Sequence, residues 1–503
     1  MGFLSLSQEI LWVRFTGFAY RSAPQAFSFV LGTYLLGIAG GAGLGKRLCR
    51  NEDALVANAG RLLLLAGLLD LVMPWIAVLA FGTGKGGGTV VLALVVMTTS
   101  LLKSAIFPIA HHLGSPTGRG RVGSSVSKVY FANIVGSFAG PLVTGFGLLQ
   151  LLSLQQSLAL MGSMTLAVGL LCLGTARVSN LATVSLAAGG ALCGTLLLPG
   201  RLLPTLIGGT VSPEFDGPLK LVVENRSGII HVNSASSGGD YILGNNGYDG
   251  RTSIDFVLDS NGISRAYILS VLRPRPAHVL VIGLSGGAWT RVLSAFPGVE
   301  RIDVVEINPG YLQVIRSYPD LAAILSDARV RIHIDDGRRW LKRHPEERFD
   351  LIMMNTTMHW RAYTTLLLSR EFHALARAHL NPHGVFAYNG TSSYDAFKTA
   401  TTVFPFVHGY SSLVIASDYD PKPELARGLE RLSELRLDGH PLLDMTRPEV
   451  LAKAQRVLGE VVTYEQSVEP AGRPLEVITD QNMIPEYRYG KSLHEFLLRG
   501  WAR

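Results

Sequence analysis

The chain changes its hydrophobic rhythm once. Over roughly the first 200 residues, apolar positions run in blocks of about twenty, the length a bilayer core demands. The blocks lie near 25–45, 60–82, 88–111, 129–150, 154–175 and 180–199, and predict six crossings. Residues 3–20 form a seventh apolar stretch that carries Glu9 and Arg14, both costly in lipid unless paired or turned inward, so it reads as a span or as an interfacial helix. From Pro213 onward the runs shorten and turns multiply. LKLVVENRSGIIHVNSAS and GGDYILGNNGYDGR alternate apolar and polar residues between glycine and asparagine turns, a small β-rich lead-in. A regular series follows: strands at 279–282, 302–306, 330–334, 350–354 and 384–388, with helices at 287–295, 309–317, 337–343 and 369–379 between them. That alternation predicts a doubly wound, Rossmann-like α/β domain whose ligand lies across the carboxyl ends of the strands. The expected organisation is a multi-pass α-helical membrane domain over 1–205, the β-rich lead-in over 206–275 and the α/β domain over 276–503.

The centre of that domain is VLVIGLSGGAWTRVLSAFPGVERIDVVE, from Val279 to Glu306. A strand ends in the turn Gly283-Leu284-Ser285-Gly286-Gly287, a helix follows, and the second strand closes on an acid. Glycines in such a turn let backbone approach a ligand, and the acid can take both hydroxyls of a ribose. The same glycines also suit tight strand-to-helix packing alone. After the third strand come Asp335, Asp336 and Gly337, and after the fourth Asn355, Thr356 and Thr357. The order assigns a binding site for an adenosyl nucleoside: the glycine turn under the tail and sugar, Glu306 on the ribose, a carboxylate near Asp336 on the adenine amine. Asp336 also suits the N-cap of the helix that follows, and the two roles are compatible.

Charge and composition refine this picture. The 503 residues carry a formal charge of +7, with pI near 9.3 and mean hydropathy of +0.28. Basic residues flanking membrane spans account for that charge, so no nucleic-acid partner is expected. Cys49, Cys172 and Cys193 all lie in or beside apolar blocks, which leaves the second half without a disulfide framework or a cysteine metal site, and no metal is expected. No basic leader or small-residue cleavage site marks a signal peptide. Small residues recur along the spans, as at Gly37, Gly40, Gly41, Gly43 and Gly45, or Gly136, Gly140 and Gly145, and suit close helix packing. Lys103, His111, His112 and Asn133 are polar groups in or at the ends of spans; they read as snorkelling or single interhelical bonds rather than a transport path, since no acid and base stand at matched depth. Lys46, Arg47, Arg50 and Arg61 share one face with Arg119, Arg121, Lys128 and Arg177, while Arg21, Lys85 and Arg201 mark the other. The positive-inside rule would then put the second half outside the cytoplasm, whereas a nucleoside co-substrate argues for the inside.

VLVIG, VVEINP, DARVRIHIDDGRRWL, FDLIMMN and LLLSREFHALARAHLNPHGVFAYN, in this order, resemble the spermidine synthase (polyamine aminopropyltransferase) family. EILWVR, FSFVLGTYLLGIAGGAGLGKRL and FANIVGSFAGPLVTGFGLL resemble the membrane part of its multi-pass bacterial relatives, and ITDQNMIPEYRYG resembles the segment that closes such chains. The resemblance implies a fold of the S-adenosylmethionine-dependent methyltransferase type and S-adenosylmethionine or decarboxylated S-adenosylmethionine as co-substrate. It implies Gly283, Ser285, Gly286, Gly287, Glu306, Asp335, Asp336 and Gly337 as nucleoside-binding residues. The expected setting is a bacterial-type inner membrane with the α/β domain in the cytoplasm, where the nucleoside is made, against the charge bias of the loops; a homo-dimer is compatible with this.

Three departures redirect the acceptor. The family turn reads G-G-G-D-G, and here it has no acid. The catalytic aspartate after the fourth strand corresponds to Asn355, and the acidic D-E-x-x-Y-H-E gate to DSNGISRAYIL (259–269), where Tyr267 alone matches. An amide is neither a carboxylate base nor an anionic partner for an ammonium. In their place stands the segment from Thr356 to Thr364, with His359 as a general base, Arg361 as a bidentate anion partner and Tyr363 beside them. That points to an anionic or lipid acceptor rather than putrescine; the other reading is a loop packed by Trp360 and Tyr363 with His359 and Arg361 in water. A transferase of this type leads, with methyl transfer on the same nucleoside site and a non-catalytic membrane scaffold or sensor as alternatives.

Overall fold

In the computed structural model the described residues are 1–50, 54–83, 87–114, 122–177, 189, 200–355, 358–391 and 393–482. The expected span at 180–199, the loop charges Lys85, Arg119 and Arg121, Cys193, Thr356, Thr357 and the closing segment from 483 lie outside them, except for the single residue Gly189. The described chain forms two units, one of Met1–Glu214 with Glu224–Arg226, the other of Phe215–Val223 and Ser227 to Asn482.

Among the described residues of the first unit, five helices are long and apolar enough to cross a membrane: Gln25–Leu48, Leu55–Gly82, Gly87–Gly114 (kinked within), Val126–Leu151 and Leu154–Thr175. The stretch with Glu9 and Arg14 is also a helix, Gly2–Ala19, and buries Leu11, Trp12 and Phe15 completely. Small residues set how closely helices meet. A Cβ on Gly41 would lie 2.2 Å from the Leu101 carbonyl oxygen, and one on Gly37 1.8 Å from Ser100 Oγ, so helix Gln25–Leu48 lies backbone to backbone on the one that carries Lys103. The expectation that no acid and base stand at one depth is corrected here. Lys103 Nζ lies 2.6 Å from Asp70 Oδ2 with both side chains fully buried, and Gln8 Nε2 donates to Asp70 Oδ1 at 2.6 Å. Asp70 escapes a composition scan because one acid inside a 28-residue apolar helix hardly lowers its hydropathy.

The second unit begins with a four-stranded antiparallel sheet, β1 (Leu219–Asn225), β2 (Gly228–Asn233), β3 (Tyr241–Gly244) and β4 (Gly247–Arg251), the lead-in of the sequence reading. The main sheet follows: β5 (His278–Ile282), β6 (Arg301–Glu306), β7 (Val330–Ile334), β8 (Phe349–Met354), β9 (Leu380–Asn389), β10 (Phe406–Tyr410) and β11 (Leu413–Ser417). A short ribbon, β12 (Arg436–Leu437) with β13 (His440–Pro441), precedes the last strand, β14 (Val462–Thr463). The eight-stranded order is β14-β10-β11-β9-β8-β5-β6-β7. Strands β7, β6, β5, β8 and β9 are parallel to their neighbours, whereas β11 and β10 join antiparallel, as does β14.

Alternation across the pleat builds two cores. Val279 and Val281 of β5 face one cluster with Val292, Ile302 and Leu351; Leu280 and Ile282 face the other with Trp340, Phe349 and Phe372. Both faces are covered, which is why β5 and β8 read as continuous apolar runs rather than alternating ones. Strand β9 starts earlier than the predicted 384–388. Phe349 pairs with Leu380 and Leu351 with Val385, so Asn381–Gly384 bulges out of the ladder with His383 at φ 59°. His383 is structural, as its place in an N-P-H-G sequence suggests.

Candidate active site

The first two parallel strands meet at a switch point, because β5 has β6 on one side and β8 on the other and the connections leave in opposite directions. The glycine turn lies there. Gly283 has φ 90° and Gly287 φ 82°, conformations that side-chain-bearing residues rarely take, and a Cβ on Gly283 would sit 2.7 Å from the Asn355 carbonyl oxygen. Ser285 adopts φ 49°, and its Oγ donates to the Asp249 carbonyl oxygen at 2.8 Å. A Cβ on Gly286 would meet Ile242 Cδ1 at 2.2 Å, so hairpin β3–β4 lies directly on the turn.

Glu306 closes β6 and is buried. Its Oε2 accepts from the Leu284 N–H and its Oε1 from the Asn308 N–H, both at 2.8 Å. The Ser285 N–H bears on the same carboxylate, and of its about four lone-pair positions these backbone donors leave room for a further donor. Burial pushes its pKa up to about 7 against the backbone donors, and the nearby Asp249 charge adds to the rise. The turn and the acid are thus one backbone-locked unit.

At the end of β7, Asp336 caps helix Gly337–Arg343 by accepting from the Arg339 N–H at 2.8 Å. Asp335 pairs with Arg339 and sits 3.5 Å from Arg343, and these guanidiniums hold its carboxyl below the usual range even though burial acts the other way. Gly337 packs on the sheet, since a Cβ there would lie 2.5 Å from Ile282 Cγ2. Asn355 N–H donates to the Ile282 carbonyl at 3.0 Å, which continues the ladder one residue past β8 and holds the amide at the strand end beside Gly283.

In the loop beyond β8, the side chains are arranged opposite to one of the two readings: His359 and Arg361 are buried and Tyr363 is exposed, with φ 69°. His359 N–H donates to Thr391 Oγ1, and its Nδ1 lies 2.9 Å from the Thr391 carbonyl oxygen, the arrangement of an Nδ1–H tautomer. Burial lowers its pKa, against the bonds to Thr391, so the ring is neutral at physiological pH. Arg361 Nη1 donates to Asp249 Oδ1 at 3.1 Å and Nη2 to the Gly244 carbonyl at 2.7 Å. Tyr311 donates its hydroxyl to the other Asp249 oxygen. Arg361 therefore ties its loop to hairpin β3–β4, a different task from the anion contact expected of it. Asp249 and Tyr311 were not among the sequence candidates. The only signal was the acid in GYDGR, which looks like a turn residue until the hairpin is folded onto the glycine turn.

Residues 267–404 match the spermine/spermidine synthase domain. The polyamine aminopropyltransferase of Mycobacterium tuberculosis is 24% identical over 483 residues, covering 92% of this chain and 90% of that protein. This chain is spermidine synthase-like. The polyamine aminopropyltransferase of Streptococcus pneumoniae is more similar over a shorter stretch, 33% identical over 148 residues. The chain spans only 50% of that relative's length, and that stretch is 29% of this chain. A crystal structure of spermidine synthase in complex with the transition state analogue AdoDATO covers 48% of the chain at 18% identity with a TM-score of 0.39, a likeness too slight to carry weight. The match to a spermidine synthase-like family spans the glycine turn, Glu306, Asp336, Asn355 and Arg361.

Proposed function

We propose that this protein is a membrane-anchored, spermidine synthase-like transferase that uses S-adenosylmethionine or its decarboxylated form and an acceptor other than putrescine. The observation that carries the reading is Glu306, a carboxylate buried at the switch point and fixed at the end of β6 by the Leu284 and Asn308 N–H groups. The full-length similarity to a polyamine aminopropyltransferase supports a transferase, and five long apolar helices support a membrane anchor. In an aminopropyl transfer the acceptor's lone pair forms a bond to the propyl carbon. The carbon–sulfur bond breaks with its pair staying on sulfur, and one proton leaves the acceptor. Asn355 at the fourth strand end supplies no charge to take that proton or to hold a dication, which is what separates the acceptor from putrescine.

Calorimetry on the full-length protein in detergent, with S-adenosylmethionine, decarboxylated S-adenosylmethionine and methylthioadenosine, tests the reading. Micromolar binding of at least one is expected, and preference between the first two decides between methyl and aminopropyl donors. No binding of any would leave a membrane scaffold. We place the second unit in the cytoplasm, where the nucleoside is made; a reporter fused after Arg503 that works only outside would refute this.

A further inference from the structure

Buried or partly buried arginines in the second unit generally have a carboxylate: Arg361 has Asp249, Arg338 has Asp480, Arg473 has Asp395 and Arg273 has Asp350. Arg265 and Arg251 are different. Among the described residues neither has a carboxylate within ion-pair distance.

Arg265 belongs to the short helix Ser264–Tyr267, and its guanidinium carbon stands 4.9 Å from the ring centroid of Trp289, which is in the first turn of the helix after Gly287. Nε donates to the Gly262 carbonyl at 3.0 Å and Nη1 to Ser412 Oγ at 2.7 Å, two of five N–H groups. Asp259, the acid in its electrostatic surroundings, is already engaged: it pairs with Lys453 at 2.7 Å and accepts from Ser264 N–H and Oγ at 2.9 and 2.7 Å. Arg251 closes hairpin β3–β4 with its guanidinium 4.1 Å from the Tyr241 ring and only long bonds to Ser237 and Gly238, at 3.3 and 3.4 Å. Asn261 joins the two segments, accepting from the Arg251 N–H at 2.9 Å and donating to its carbonyl at 3.0 Å. The Tyr248 phenol is in the field of both guanidiniums and donates to Asn261 at 3.4 Å. The cluster adjoins the nucleoside turn: a Cβ on Gly250 would lie 3.3 Å from Ser285 Oγ.

A guanidinium withdrawn from water without a counter-charge, as that of Arg265 is, costs stability that a bound anion offsets; the partly exposed Arg251 adds a second planar fork that matches carboxylate and phosphate oxygens. Resting on the nucleoside reading above, we propose that Arg265 and Arg251 form an anion subsite beside the glycine turn that receives a carboxylate or phosphate group of the acceptor. The acceptor is then an anion-bearing molecule, and the subsite rejects a diamine through like charge.

The test is calorimetry on the full-length protein in detergent, saturated with methylthioadenosine, using 4-aminobutyrate, O-phosphoethanolamine and putrescine as probes. The first and third share a four-carbon chain and differ in one end group, carboxylate against ammonium; the second replaces carboxylate by phosphate. At least one anionic probe should bind tenfold or more tightly than putrescine, and which one it is separates the two chemistries. Arg265→Gln should remove that preference, Arg265→Lys should keep part of it, and Arg251→Gln should weaken it at least threefold. Methylthioadenosine affinity should change less than twofold in all three, which also shows that they fold. Putrescine binding as well as the anions, no anion binding by the wild type, or an unchanged preference in Arg265→Gln would overturn the proposal. Should methylthioadenosine itself not bind, the nucleoside reading fails, and the same titrations on unloaded protein judge the anion subsite by itself.

Discussion

Arg361 and Asp249 are 112 residues apart, and the Nη1–Oδ1 contact of 3.1 Å between them closes the loop after the fourth parallel strand onto the lead-in hairpin. Both side chains are largely withdrawn from water, so each depends on the other for its charge. Asp249→Asn should destabilise the protein by about 3 kcal/mol, the lower end for breaking a buried pair, since a buried guanidinium loses its counter-charge. Asp249→Asn with Arg361→Leu should cost less than the sum of the single changes. Additive losses in thermal or denaturant unfolding would show that the pair does not interact.

Glu306 gives a pH signature. Its carboxyl is raised from an ordinary 4.5 to about 7, chiefly by burial. A raised acid favours the neutral form in the folded state, so its contribution to stability is full below about 4.5 and lost as pH rises through about 7. Ribose hydroxyls donate to the ionised form, so nucleoside binding runs the other way. Affinity for methylthioadenosine should strengthen roughly tenfold from pH 6 to 8, with a proton released on binding. Glu306→Gln should flatten that dependence and cost about 1.5–3 kcal/mol at pH 8. A pH-independent wild-type affinity would remove Glu306 from the ribose.

The legible parts of this chain are those where one local rule decides the outcome. Among the described residues five apolar runs of bilayer length became helices, and Val279–Ile282, Ile302–Glu306 and Val330–Ile334 became strands because turn chemistry bounds short apolar or alternating runs. Glu306 was readable because the strand places its last residue at the switch point. Arg361 could be seen but its task could not, because Asp249 reaches it only after two separate segments fold together. The same holds for Asp70, an acid whose partner is a helix away. Arg265 was passed over inside a stretch scanned for acids; its meaning lies in a missing counter-charge, which only packing reveals.

The Lys103–Asp70 pair should be a stability determinant of the first unit. Both side chains have no exposure and Gln8 fills a further acceptor position of Asp70. Removing one partner leaves a buried charge, so Asp70→Asn or Lys103→Met should lower stability by about 3–5 kcal/mol in detergent, whereas Asp70→Leu with Lys103→Met should recover most of it. Single variants as stable as the wild type would mean that the pair contributes nothing to folding.

Asn355 is the position on which the reaction turns. Transfer to an amine requires that the nitrogen be unprotonated and held against the electrophilic carbon, and a carboxylate at this strand end would serve both needs. Asn355 has a fixed backbone, bonded to Ile282 at 3.0 Å, and a neutral side chain. The wild type should therefore show negligible methylthioadenosine release from decarboxylated S-adenosylmethionine and putrescine. Asn355→Asp alone should not restore it, because the glycine turn has no acid, Asp259 is bound to Lys453, and groups that act together are not replaced singly. His359→Ala, which removes a neutral ring held by Thr391, should depress native activity while nucleoside affinity stays nearly unchanged. Assays of the purified protein in lipid, with putrescine and with 4-aminobutyrate, check all of this. Robust wild-type turnover of putrescine would mean that a carboxylate from elsewhere in the fold, such as Asp249 released from Arg361, does the work of the missing aspartate.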